Sequence, residues 1–429
     1  MKGNLQLTLG GLIVCAATFF ATTQPAISYT TIGGALNLGQ RDFRVYDNFN
    51  GSSANNNNTA DDNWPGFTGA ELAIWKGGAE WNSRAHGDGS GDSSQGILGS
   101  GGANFTFFFE GMANGIGGGN DNIVSSLGGS SGGVLAYCET PIQDGWRIRF
   151  YGDAWSWQDG PGGVGSGIDI QGVACHELGH ALGLGHSTAG GSPTMNAYIS
   201  GTGQGQRSLA TDDSNGVQYI YGSRSSTMPF IDSVSKNGST LTITGGNFSA
   251  STNRVWLMSS TVDGGNAGGN HLTIENVPSS NNGTVLTAQL PASGWELGNI
   301  AVKRTTGGNF GDLSETHPFD GSGGGGGQYD NVTLTITDTT PNTGQGLTFT
   351  CSNTPLSSPY RIVWSNTDRS PFFGTFNGIV GTGTTTQFGS SAYYAVVPNA
   401  AAGRTVYIEA QFNNAGVITD SNTIRLDIN

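Results

Sequence analysis

The chain is poor in charge. Of its 429 residues only 17 are Lys or Arg and 31 are Asp or Glu, which leaves a net charge of −14. Charged residues make up 11%, against about 25% in an average soluble domain. So few cations cannot build the clustered positive surface that nucleic acid or an anionic membrane requires. Histidine is scarce, with six residues, and cysteine scarcer still, with four: Cys15, Cys138, Cys175 and Cys351. That is too few for a disulfide scaffold. Beyond the N-terminus there is no apolar run long enough to span a bilayer. Glycine is what the chain has in excess, at 73 residues. It keeps no three-residue period, which excludes a collagen helix. Hydrophobic residues at 35% and aromatics at 10% suffice for buried cores, and the length allows roughly two to four domains.

The first residues, Met1-Lys2-Gly3-Asn4, lead into a largely apolar run from Leu5 to Ala21 and then small or polar residues to Ala26. One early cation, a short apolar stretch and small residues at its end read as a secretory signal peptide over 1–26 rather than a membrane anchor. Leu12-Ile13-Val14-Cys15 has the outline of a lipoprotein site, but bulky Val14 stands where a small residue is required. The expected mature protein is soluble, extracellular and free of a membrane span. Loss of Cys15 leaves three cysteines and room for one intrachain bridge.

Residues 27–224 mix helical and strand patterns. Spacing of Leu72, Ile74 and Trp75 predicts a helix over 70–81, and strands are predicted at 104–109, 133–138 and 146–151. Asn55 to Asn58 reads as an exposed loop tip. After Gly222 the pattern becomes purely β, with a turn at Asn237-Gly238 and regularly spaced short strands. The expected architecture is an α+β unit, a β-sandwich over 228–319, a Gly-rich tether over 320–328 and a second β-sandwich over 329–429. Cys351 and Trp364 have immunoglobulin-like spacing, yet no second Cys follows near Tyr407, so that sandwich must rely on packing.

One segment carries chemistry: Cys175-His176-Glu177-Leu178-Gly179-His180-Ala181-Leu182-Gly183-Leu184-Gly185-His186. His176 and His180 are four apart, so on a helix both imidazoles leave one face and can share a metal ion. Glu177, beside the first, can reach a water on that metal. Gly183 lets the helix stop through a left-handed turn, and His186 can return as a third nitrogen ligand. Three neutral imidazoles and one open position suit a catalytic Zn²⁺, which lowers the pKa of its water to roughly 7. The competing explanation, three surface histidines by chance, must place half of the six histidines in one window.

This extended motif resembles the metzincin clan of zinc metallopeptidases, and Ser187 after the third His resembles the matrixin family within it. Ser192-Pro193-Thr194-Met195 is similar to the clan's Met-turn, and residues 209–222 to the closing helix of matrixin catalytic domains. Val173-Ala174 and Leu135-Ala136 also fit. The resemblance implies a metzincin-like fold for 27–224 and zinc-dependent hydrolysis of peptide bonds. Glu177 would be general base and acid, Met195 a hydrophobic base under the metal, and Gly183, Asp212 and Asp213 structural. The substrate would lie extended against the edge strand at Val134, Leu135 and Ala136. Cys138 and Cys175 would either bridge the zinc helix to the sheet or remain buried thiols.

The chain also departs from the family pattern. Met195 is followed by Asn196-Ala197-Tyr198, without the usual Pro, so the wall of the specificity pocket does not carry over. Tyr137 stands where a ligand of a second, structural zinc would be expected, and His86 is the one other His of the unit, so one zinc is expected. No Pro-Arg-Cys-Gly-like thiol latency segment is found between the expected signal peptide and the catalytic region. Oxygen-rich Gly loops holding Asp88, Asp92, Asn120, Asp121 and Asp153 are compatible with structural Ca²⁺. His271 and His317 read as surface residues. Residues 228–319 resemble an IPT/TIG-type immunoglobulin-like domain, and 329–429 are generically immunoglobulin-like, which implies a cell-surface or matrix ligand. A monomer acting on protein or peptide substrates is expected. The rival is a surface adhesin whose zinc site is structural or inactive.

Overall fold

The computed structural model describes the chain from Ser28 to Asn429 except residues 37–41, 62, 88–91, 93, 96–97, 119–120, 130, 140–145, 191, 261–270, 291–294, 296, 305–311, 320–332, 353–358, 367–376, 385–389, 415–416 and 422. The expected signal peptide and Gly-rich tether therefore lie outside the described residues, as do Asp88 and Asn120.

A five-stranded sheet organises the first unit. Its order is Phe108–Met112, Asp42–Tyr46, Ile123–Leu127, Arg147–Tyr151, Ala136–Glu139. The first four strands are parallel, and Ala136–Glu139 closes one edge antiparallel to Arg147–Tyr151. Parallel strands are buried on both faces and so read as apolar runs; Phe43, Val45, Val124, Ile148 and Phe150 are all fully buried. Helix α1 (Gly69–Ala79) and helix α2 (Ile170–Ala181) pack together against Phe43 of the sheet. They approach so closely that a Cβ at Gly77 would sit 2.8 Å from the Cys175 nitrogen. Helix α3 (Thr211–Tyr221) follows the 3₁₀ turn Gln204–Arg207.

Every residue of α1 is buried, including Lys76. Its ammonium pairs with Asp92 at 2.9 Å and Asp61 at 3.4 Å and lies 5.2 Å from the centre of the Trp64 ring. A buried lysine is tolerated only when paired in this way. Asp92 is thereby engaged by a cation, which removes it from the set of candidate Ca²⁺ ligands. Asn55 is more than a loop tip: its side-chain oxygen accepts the Ala70 N–H at 2.8 Å and so caps α1, while the Asn57 N–H donates to Asp159. The strand expected at 104–109 begins only at Phe108. The N–H groups of Asn104 and Phe107 are taken by the Gly222 carbonyl and the Asn82 side chain instead of a neighbouring strand.

Residues 230–319 form two four-stranded antiparallel sheets. They face each other across Ile231, Val234, Leu241, Ile243, Leu257, Leu286 and Ile300. The expected turn at Asn237-Gly238 joins the first hairpin, with Gly238 at φ +62°. Residues 333–427 form a three-stranded and a five-stranded sheet around Leu334, Phe349, Ile362, Ile408 and Phe412. The first of these β units is not a free appendage. Met258, Ala301 and Leu313 belong to the same apolar cluster as α1 and the mixed sheet. Trp256 meets Phe108 edge-on at 4.9 Å. His86, stacked on Trp64, exchanges a 3.0 Å hydrogen bond with Thr316. His317 is half-buried rather than on the surface. Among the described residues no helix is long and apolar enough to cross a membrane.

Candidate metal centre

Asp169 starts the helix that carries the motif. Its carboxylate accepts the Gly172 N–H at 3.0 Å and also takes a two-pronged ion pair from Arg207 at 2.7 and 2.8 Å. This ties the beginning of α2 to the turn beyond the motif. The helix ends at Ala181, and Gly183 adopts φ +103°, the left-handed turn that the motif requires. The chain then reverses. Leu184–Gly185 pairs with Thr30–Thr31, and the Thr30 hydroxyl donates to the His186 carbonyl at 2.7 Å.

The three imidazoles meet. Ring centres of His176, His180 and His186 lie 4.8–5.3 Å apart. One ligand atom from each falls within 4.8 Å of the others. The His176 Nδ1 lies 2.7 Å from the Thr194 carbonyl and the His180 Nδ1 2.7 Å from the Leu184 carbonyl. A carbonyl only accepts, so both Nδ1 atoms carry protons and both Nε2 lone pairs are free for a metal. Burial lowers the His176 pKa to about 3, with His180 adding to the effect, and burial lowers His180 as well. Neutral imidazoles are the form that binds metal. The residues therefore fit a zinc ion. Among the described residues this is the one such group of His, Cys, Asp and Glu.

Glu177 is buried next to His176, with the Cys138 backbone N–H near its carboxylate. Burial pushes its pKa up to about 8, with the Cys138 N–H pulling the other way. Met195 is buried beneath α2, and a Cβ on Gly179 would sit 2.3 Å from its sulfur. Asp213 fixes this turn by accepting the N–H groups of Thr194, Met195 and Ala210 at 2.8–3.0 Å. Asp212 bonds Ser187, after the third His, and Ser28.

Of the two alternatives for Cys138 and Cys175 the bridge is absent, and both thiols are free. Residues 175 and 177 are two apart on a helix and so point about 200° apart around its axis. Cys138 lies on the Glu177 side, whereas Cys175 sits where α2 packs on Gly77 and Trp81. Two thiols on opposite flanks of α2 cannot join.

A cleft of about 700 Å³ opens over the imidazoles. Gly133 to Cys138 form one wall, and the Leu135 carbonyl continues the edge pairing by accepting the Tyr151 N–H. Trp155, which donates to the Val134 carbonyl at 2.9 Å, Ile168 and Ile199 also line it. Sequence reading missed these three, along with Asp169 and Arg207. Only Asp169, placed before an apolar helical run, carried a local signal. Tyr137 packs on Tyr151, with ring centres 5.9 Å apart. Both ring nitrogens of His86 are occupied, by the Asn63 carbonyl and Thr316.

Fold and site together bring three imidazoles that could hold a metal beside a buried carboxylate. Residues 120–222 match the Matrixin family, peptidase M10. Over 82 residues the chain is 43% identical to stromelysin-2 of Rattus norvegicus, covering 18% of this chain and 16% of that protein. It is 44% identical over 62 residues to metalloendoproteinase 2-MMP of Arabidopsis thaliana, 14% of this chain and 15% of that one. Over 68 residues it is 44% identical to rat matrilysin, 16% and 24% respectively. The chain thus spans a quarter or less of the length of these relatives, and the likeness to matrixins lies in the segment that carries the site. Among solved structures, a xyloglucan-locus protein of Bacteroides uniformis aligns over 46% of this chain and 49% of its own at 18% identity, with a TM-score of 0.19, too low to carry an argument.

Proposed function

We propose that the protein is a secreted zinc-dependent endopeptidase whose first unit, residues 27–224, has a metzincin-like fold. The observation that carries this reading is the convergence of three imidazoles, two of them with Nε2 left free by carbonyls on Nδ1, beside a buried Glu177. His176, His180 and His186 would hold the zinc. When bound, it supplies a Lewis acid for the scissile carbonyl and an acidified water. Glu177 accepts a proton from water and delivers it to the departing amine, and its raised pKa suits both directions of transfer. The exposed side of Val134–Ala136 takes the substrate as an added extended strand. Met195, Gly183, Asp212 and Asp213 hold the ligands in place. Export is supported by the pattern of residues 1–26, and the β units over 228–319 and 329–429 would attach the monomer to a surface or matrix ligand. Structural Ca²⁺ would require the remaining loop acids.

The test is hydrolysis of casein by the full protein, with chelator, with zinc restored, and with Glu177→Gln. Expected are loss with chelator, recovery with zinc, and a 10²–10⁴-fold loss in the variant at unchanged zinc content. Hydrolysis indifferent to chelator, or none at all from zinc-loaded protein, would favour the surface adhesin.

A further inference from the structure

The last β unit contains a feature that peptide hydrolysis does not use. Between its two sheets lies a cavity of about 390 Å³, within the ~300–1,000 Å³ range of small-molecule sites. Leu347 and Phe349 line it from one sheet, and Trp364, Val380 and Val406 from the other, with Ile428 at the chain end. Facing sheets normally interdigitate across about 10 Å and leave few voids. Here Trp364 and Val380 are only partly buried, and Ile379 and Val396 at the cavity wall are 51% and 54% exposed.

The lining carries one charged side chain, Arg404. It is exposed, and among the described residues its guanidinium has neither a carboxylate nor a hydrogen-bond partner. In a chain with 31 acids and 17 bases, a solitary arginine at an apolar cavity fits an anionic head group above an apolar tail.

We propose that this cavity is a binding site for a single-chain apolar carboxylate, the tail between the sheets and the head group on Arg404. The proposal is independent of the metal centre. Its test is calorimetric titration of the full protein with dodecanoate, dodecanol and dodecyltrimethylammonium, all below their micelle-forming concentrations. Chelator is present throughout, so that no carboxylate can bind a metal. Saturable binding of one dodecanoate is expected, with the cationic amphiphile much weaker. Arg404→Gln should weaken dodecanoate roughly tenfold and leave dodecanol unchanged. Ala395→Phe, which fills the cavity, should abolish binding of both while the far-UV spectrum stays native. If that variant fails to fold, Val380→Phe supplies the same test from the opposite sheet. Several ligands per chain, equal affinity for anion and cation, or isotherms insensitive to Arg404 would overturn the proposal, as would no binding.

Discussion

Asp213 shows how one carboxylate can govern a candidate metal centre it never touches. It gathers three backbone N–H groups, two of them from the turn that carries Met195 and the carbonyl bonded to His176. Asp213→Asn keeps the shape but replaces one oxygen with a donor facing N–H groups. We expect a loss of about 1–3 kcal/mol in denaturant unfolding, together with weaker zinc retention. His86 gives a signed pH effect. Burial lowers its pKa to about 4 from the ordinary 6.5, so between these values the unfolded chain binds a proton that the native protein refuses. Stability at this site therefore falls as pH drops from about 6.5 towards 4. Glu80, raised to about 7 by burial, acts in the opposite direction over its own range. The clean measurement is therefore a difference. The melting temperature of His86→Gln should fall less than that of the parent between pH 6.5 and 4.5.

At the scale of elements, α2 was the most legible part of the sequence and α1 the least completely read. The His-Glu-His spacing and Gly183 fixed the ligand face and the stop of α2 because both are local properties of a helix. The partners of Lys76, the cap that Asn55 gives α1 and the pairing of Arg207 with Asp169 are not local. They join residues 15–38 positions apart, and nothing in the spacing selects one acid over another. The misplaced strand at 104–109 and the disulfide that did not form have the same origin, since a residue's neighbours decide what its backbone or thiol meets. Asp169→Ala removes both a helix cap and the partner of a buried guanidinium. A loss of about 3–5 kcal/mol is expected by chemical denaturation, well beyond the ~1 kcal/mol of a cap alone. Gly179→Ala places a methyl against the Met195 sulfur. It should cost about 1–3 kcal/mol and lower zinc affinity, read by chelator competition.

For the whole molecule, the sequence showed where the pattern turns to pure β, but not that the apolar cluster continues across that change. Ser83 contacts Met228, and Arg84 pairs with Asp232 and covers Phe230. A chain ending at residue 224 would bare Phe108 and the surroundings of His86. It should melt at lower temperature than one ending at 319, or aggregate, as followed by light scattering during heating. If the two melted alike, the shared cluster would contribute nothing to stability.

The interior that runs from α1 through Met258, Ala301 and Leu313 also limits how such a chain can be rearranged. Recombination between 224 and 228 would strip the first unit of the cover that Met258, Ala301, Leu313 and Trp256 give it, with Phe108 turned to water. These two pieces must therefore be inherited as a pair.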